Sequence, residues 1–236
     1  MEARMAPYKL INDDCININK YFRDINFDLI YLDPPFGTGS KQILGLHSYD
    51  DSSTGTEYLN FISERVRKIL NSLSDDGVML IHLDRHYVYE VKNIIENMGG
   101  HFCGDIIWAY RRWASNVNNL QNNHDTILIF SKKLLFKKCR TIFSQSIVAP
   151  SSKERVGYPT QKPIGLLKRI ITHLEQFVEI RNILDPFMGS GTTLVAGLEL
   201  GKKVFGFDVS KQAIKIAETR LLKVSPQYPL FEQLDL

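Results

Sequence analysis

Asp33-Pro34-Pro35-Phe36 sets an acid and an aromatic ring at the end of an apolar run, Leu29 to Leu32. The run reads as a buried strand. Two successive prolines remove two backbone donors and bar helix from the residues before them, so the chain must leave the strand in a stiff, extended turn. Asp33 and Phe36 then stand at the carboxyl end of a strand, where open α/β sheets bind their ligands. A rigid acceptor beside a rigid ring suits a flat substrate with a polar edge, such as a nucleobase.

A second chemical stretch lies far along the chain. Asp185-Pro186-Phe187-Met188-Gly189-Ser190-Gly191-Thr192-Thr193 follows the apolar Ile183-Leu184, and Asp208 stands 19 residues after Gly189. Glycines let a backbone approach a ligand closely, and the helix that follows offers free N–H groups to an anion. The spacing carries Asp208 to the next strand end, within reach of a ribose. A dinucleotide fingerprint needs a small residue where Leu194 stands, which counts against NAD. A ligand with one carboxylate and one ribose, such as S-adenosylmethionine, fits better. The plain alternative is a strand-to-helix turn with no ligand, and the placing of Asp208 weighs against it.

The elements that must hold these groups alternate. Strands are expected at Lys9–Asn12, Phe27–Leu32, Val78–Leu83, Phe102–Tyr110, Thr126–Ser131, Asn182–Leu184 and Val204–Phe207. Apolar residues at helical spacing mark a helix through Leu59, Ile62, Val66, Ile69, Leu70 and Leu73, with Thr54 and Glu57 as a capping box. Further helices run through Val88 to Met98, stopped by Gly99-Gly100; from Pro163 through Phe177; from Thr192 to Leu200; and from the cap residue Ser210 to Leu221. Residues 37–56 read as a long mobile loop beside the first corner, and 144–159 as another loop. The alternation predicts one α/β domain over residues 1–236, a doubly wound, mainly parallel sheet of about seven strands.

Composition narrows the classes. The chain has 236 residues, a net charge of +3 and a pI near 8.6, so any nucleic-acid surface must come from local clusters. Two such clusters occur. Arg111-Arg112-Trp113 followed by Asn116, Asn118, Asn119, Gln121, Asn122 and Asn123 offers forks and amides suited to base edges, and Lys132, Lys133, Lys137, Lys138 and Arg140 offer phosphate contacts. Read alone, they are more readily a solvated loop and a charged strand edge. Cys15, Cys103 and Cys139 are odd in number and widely spaced, which suits a reducing compartment and provides neither disulfide framework nor metal site. None follows a proline, against methylation at a cytosine ring carbon. His82, His86 and the pair His124-Asp125 read as structural; Trp108 suits the core as well as a base pocket. No apolar run is long enough for a membrane span.

Together these stretches resemble a known family. Asp33-Pro34-Pro35-Phe36 resembles the catalytic signature of DNA amino-methyltransferases, the N6-adenine and N4-cytosine enzymes. Asp185 to Thr192 resembles their cofactor signature, and Gly157-Tyr158-Pro159-Thr160-Gln161-Lys162-Pro163 the segment that precedes it. The catalytic motif comes first, which is similar to the circularly permuted β class of bacterial or phage restriction-modification type. The resemblance spans about Leu10 to Leu222 and implies a Rossmann-like fold that uses S-adenosylmethionine.

Residue by residue, the resemblance implies that Asp33 and the Pro34 carbonyl accept from the amine of a flipped base, on a turn that Pro35 stiffens. Phe36 stacks on that base. Asp208 holds the cofactor ribose; Asp185, Phe187, Gly189, Ser190 and Gly191 shape the cofactor turn. Lys162, Thr192 and Thr193 face the methionine carboxylate, and Asp14 and Cys15 lie near the cofactor adenine. A small target-recognition insert is expected at about 111–157, with Arg111, Arg112, Trp113, Asn118, Lys132 and Lys133 on DNA. The substrate expected is double-stranded DNA, methylated at adenine N6; cytosine N4, an RNA base and a non-catalytic relative are the alternatives. The insert is short, so a homodimer is one route to a full recognition site, and a cognate restriction enzyme is a partner the family allows. The location expected is cytoplasmic, on the nucleoid.

Overall fold

The computed structural model describes residues 7–37, 40–44, 47–51, 54–110, 123–133, 141–158 and 160–225. Its frame is an eight-stranded sheet: β1 (Tyr8–Ile11), β2 (Phe27–Leu32), β5 (Leu73–Leu83), β6 (His101–Ala109), β7 (His124–Ser131), β8 (Ile142–Ser144), β9 (Asn182–Asp185) and β10 (Lys203–Phe207). The order across the sheet is β1-β10-β9-β2-β5-β7-β6-β8. β1, β10, β9, β2 and β5 are mutually parallel; β7 runs antiparallel to both its neighbours. The sheet thus has one strand more than expected, because the short β8 joins the edge beside β6.

Alternation along the central strands explains the two layers. Leu29 and Tyr31 face a core formed with α4 (Ile164–Leu174), α5 (Thr192–Glu199) and α6 (Lys211–Val224), which contribute Leu167, Ile170, Leu194 and Ala217. Ile30 and Leu32 face the opposite core with α1 (Ile18–Tyr21), α2 (Gly55–Asn71) and α3 (Val88–Asn97), which contribute Ile18, Ile62, Ile69 and Val91. Side chains of successive strand residues point to opposite faces, so a strand buried on both sides reads as one continuous apolar run.

Three local expectations change. Residues within 37–56 form a backbone hairpin, β3 (Ser40–Leu44) with β4 (His47–Asp51), rather than an unstructured loop. Thr54 stands at the N-cap of α2, yet its side chain makes no capping bond; the Gly55 N–H is taken by the Tyr87 hydroxyl at 2.8 Å. β5 begins at Leu73 rather than at the expected Val78, and Asp75-Asp76-Gly77 lies inside it as an irregularity where the pairing with β2 shifts register. Ser210 does cap α6, accepting from the Ala213 N–H at 3.3 Å. Among the described residues no helix is long and apolar enough to cross a membrane.

Two consequences position the site. From β2 the chain crosses over to β5 on one side; from β9 it crosses to β10 on the other. The crevice between β2 and β9 is therefore the switch point of the sheet, the place where doubly wound folds bind ligands. The reversed β7 also places its first residues beside the carboxyl ends of β2 and β5, since Thr126 pairs with Leu83.

Candidate active site

A cavity of about 750 Å³ opens at that crevice. Asp33 and Asp185, separated by most of the chain, both line it because β2 and β9 are adjacent. Pro34, Pro35, Phe36, Phe187, Met188, Gly189, Ser190, Thr192, Thr193 and Asp208 line the same cavity, as do Asp14, Cys15 and Lys162. The expected catalytic and cofactor stretches thus converge on one volume of ligand size.

The turn after β2 is locked from behind. Gly37 has φ +67°, and a Cβ there would lie 2.9 Å from both Tyr58 and Tyr87. Lys162, buried, donates to Asp33 Oδ1 at 2.7 Å and to Oδ2 at 2.5 Å, and its Nζ lies 5.1 Å from the centre of the Phe36 ring. The lysine therefore rests on the candidate catalytic acid, in the same cavity as the turn of Gly189 to Thr193. Its segment is stiff: Gln161 accepts from the Val156 N–H and donates to the Glu154 carbonyl, and Thr160 holds a left-handed φ of 58°. A non-glycine residue in that region is a strained conformation that its surroundings must enforce.

At the cofactor turn, Asp208 Oδ2 accepts from the Gly189 N–H at 2.9 Å and Oδ1 from the Ser210 N–H at 2.8 Å. Each oxygen keeps a lone pair for a ligand. Burial raises the Asp208 pKa despite these two bonds. Asp185 is fully enclosed; burial first, then the charges of Asp33 and Asp208, push it up to about 7. Its Oδ1 accepts from the Phe187 N–H at 3.1 Å, which shapes the start of the turn. Gly191 has φ +73°, and a Cβ would meet the Ala217 Cβ at 2.7 Å. The Ser190 and Thr192 hydroxyls are engaged by Arg220 at 3.1 and 3.0 Å, and the Ser190 carbonyl at 2.7 Å.

At the far end of the cavity Asp14 caps the short 3-10 turn Cys15–Asn17 and pairs with Arg65 through both carboxylate oxygens. The Arg65 guanidinium lies 3.7 Å from the centre of the Phe61 ring. Burial, with Asp14 beside it, raises the Cys15 thiol pKa well above its usual value, so it is an inert neighbour.

Sequence reasoning missed Phe61, Arg65, Asp125 and Arg220. Phe61 and Arg65 sit four apart on α2. The pair is visible in the sequence, but it stands beside a stronger apolar stripe on the same helix. Arg220 falls among the buried Ala213, Ala217 and Leu221 of α6, an arginine at an inward position. Asp125 gave no signal beyond its histidine neighbour; only the reversal of β7 brings it to the cavity.

The expected DNA-binding residues divide. Arg111, Arg112, Trp113 and Asn118 lie outside the described residues. Lys132 and Lys133 follow β7 at the opposite end of the sheet from Asp33, where Lys132 bonds the Leu73 carbonyl and Lys133 pairs with Asp76 at 3.1 Å. They do not border the cavity. The interval 111–157 is not a continuous insert either, since β7 within it is a central strand.

A family model described as DNA methylase, covering N6 and N4 amino-methyltransferases, matches residues 27–137 and 133–219. The chain belongs to that family. This DNA methylase is 28% identical over 237 residues to the type II methyltransferase M.HpaI of Haemophilus parainfluenzae, covering 90% of this chain and 74% of the relative. It is 28% identical to M2.DpnII of Streptococcus pneumoniae, covering 90% and 88%. Its fold is shared with the solved M1.HpyAVI–SAM complex, with a TM-score of 0.66 at 23% identity over 90% of this chain and 99% of that one. It is shared equally with the cytosine-N4-specific PvuII DNA methyltransferase, with a TM-score of 0.70 at 14% identity over 93% and 92%. The methylase is thus a DNA amino-methyltransferase with a Rossmann-like fold.

Proposed function

We propose that the methylase transfers a methyl group from S-adenosylmethionine to the exocyclic N6 amine of adenine in duplex DNA. The observation that carries this reading is the placing of Asp33 and Phe36 one strand away from the Gly189–Asp208 turn, in a single cavity. The cavity fits the cofactor: Asp208 would hold its ribose, the Gly189–Thr193 turn its methionine part, and Asp14, Phe61 and Phe187 its adenine. When bound, it supplies an activated methyl group.

The remaining chemistry belongs to this chain. A base amine shares its lone pair with the ring and is a weak nucleophile. Positive charge grows on its nitrogen as the methyl arrives, so acceptors fixed at that nitrogen act more strongly in the transition state than before it. Asp33 and the Pro34 carbonyl serve as those acceptors on a turn that two prolines and Gly37 hold still. The base must leave the stack, at a cost of a few kcal/mol. Stacking on Phe36 returns about 1–3 kcal/mol, and phosphate contacts supply the rest.

Adenine is preferred because the first motif residue is an acid, where serine is commoner in cytosine-directed members. N4-cytosine methylation is the second reading, and the fold shared with an N4-specific enzyme supports it. The type II names of the relatives support a cognate restriction endonuclease as partner. Purified protein with labelled cofactor and duplex DNA, followed by nucleoside digestion, tests the assignment. N6-methyladenine is the expected product; N4-methylcytosine, or label confined to RNA, overturns it.

A further inference from the structure

Behind the Asp33 corner runs a buried polar chain that the reaction described above does not use. The Tyr31 hydroxyl lies 2.6 Å from His82 Nδ1, His82 Nε2 lies 3.1 Å from Asp125 Oδ2, and the Tyr110 hydroxyl donates to Asp125 Oδ1 at 2.9 Å. His82 is completely buried in the sheet, among the rings of Phe36, Tyr31 and Trp108 at 5.8, 6.1 and 5.7 Å. The tautomer that satisfies both neighbours carries its proton on Nε2, so Tyr31 donates to His82 and His82 donates to Asp125. Every bond in the chain points toward Asp125, and two donors converge on its carboxylate.

Asp125 is itself only 7% exposed, and that remnant faces the cavity that Asp33 and Phe36 line. Burial would raise its pKa, but the hydrogen bond and charge of His82, the Lys162 charge and the Tyr110 bond outweigh this and hold it below the usual carboxylate value. Asp33 already carries the Lys162 ammonium on both its oxygens. Asp84, at the end of β5, turns to His86. Two carboxylates, Asp33 paired with Lys162 and Asp125 held by His82 and Tyr110, thus line the same cavity as the Phe36 ring.

We propose that Asp125 is a second carboxylate of the base pocket and a further catalytic residue, stabilising the positive charge that reaches the amine nitrogen during methyl transfer. The proposal rests on the methyl-transfer reading above. Asp33, paired with Lys162, acts as a directional acceptor; Asp125 supplies a second carboxylate charge. The chain Tyr31–His82–Asp125–Tyr110 fixes that charge before the reaction, which is what makes preorganised electrostatics effective. His82, Tyr31 and Tyr110 are positioning residues: they act through Asp125.

Asp125→Asn keeps the shape of the side chain and removes the charge; its oxygen accepts from Tyr110, and its NH2 donates to His82 once the imidazole proton moves to Nδ1 and Tyr31 accepts it. The single-turnover rate on duplex DNA should fall about a hundredfold, as when one preorganised group is removed from an active site. Thermal midpoint and affinity for the thioether product S-adenosylhomocysteine should stay near wild type. A binding readout independent of turnover uses sinefungin, which carries a charged amine in place of the sulfonium methyl. The variant should lose about tenfold of the preference for sinefungin over the thioether. Tyr31→Phe, which spares the carboxylate, should cost far less in both readouts. An unchanged rate and an unchanged sinefungin preference in Asp125→Asn overturn the proposal, and so does a parallel loss of thioether binding, which marks a structural role. A wild-type protein that methylates no DNA base refutes the methyl-transfer reading instead, so the two failures are distinct.

Discussion

At the scale of single residues, the site is a set of acids given different tasks by their surroundings. Asp33 is paired with Lys162, Asp208 is tied to two backbone N–H groups, and Asp185 is enclosed. Asp33→Ala should abolish methyl transfer while leaving cofactor affinity within a few fold, measured by single-turnover assay and calorimetric titration; retained turnover removes Asp33 from the chemistry. Asp185 makes a pH prediction. Its folded pKa stands near 7, against 3.8 for the ordinary carboxyl. Between those values the native chain holds the extra proton, so stability from this group is full at the acid end and is lost as pH rises through 7. Asp185→Asn keeps the acceptor for the Phe187 N–H. It should therefore gain stability relative to wild type at pH 8 and lose that advantage at pH 4.5, by denaturant midpoint. A difference between the two proteins that does not vary with pH contradicts the raised pKa.

At the scale of elements, the cofactor turn works because its glycines occupy backbone and space that other residues cannot. Gly191 and Gly201 share left-handed φ values of +73° and +74°, but only Gly191 is crowded, by Ala217 of α6. Gly201→Ala should cost about 1 kcal/mol, the penalty of the backbone conformation alone. Gly191→Ala should cost about 1–3 kcal/mol more, because α6 must also move, and should weaken cofactor binding. Equal destabilisation in the two variants would show that the turn does not press on α6. Elements were legible in proportion to how local their causes are. The Ser210 cap depends on residues three positions away and was readable, whereas Thr54 makes no capping bond and the neighbouring Gly55 N–H is taken by the distant Tyr87 hydroxyl. The hairpin within 37–56 has polar residues on both strands, so no apolar alternation marked it.

At the scale of the whole molecule, topology sorts the basic residues. Lys132 and Lys133 stand at the end of the sheet remote from Asp33, held by Leu73 and by Asp75 and Asp76. We propose that Arg111 and Arg112, which lie outside the described residues between β6 and β7 in the sequence, contact the DNA instead. The salt dependence of duplex binding checks this. Lys132→Ala and Lys133→Ala should leave the slope of log K against log salt unchanged. Arg111→Ala with Arg112→Ala should make it shallower by about 0.9 for each phosphate that is no longer neutralised. A shallower slope in the lysine variants would place DNA on the far face.

By itself the sequence determined which groups the chemistry would use. Asp33-Pro34-Pro35-Phe36, the Gly189-Ser190-Gly191 turn and Asp208 are local patterns, in which neighbouring residues dictate backbone geometry and hence which side chains are presented. Only the tertiary structure decided which groups meet. Strand order joins Asp33 to Asp185, the reversal of β7 brings Asp125 to the cavity that Phe36 lines, and α6 lends Arg220 to a turn it follows by some thirty residues. Lys162 illustrates the division: its place in a recognisable segment was readable, but its partner, Asp33, lies 129 residues away, and only packing of the loop before α4 against the end of β2 selects it. Long-range pairings of this kind leave no periodic trace in a chain, because they are set by how sheets and helices pack, not by what adjoins what.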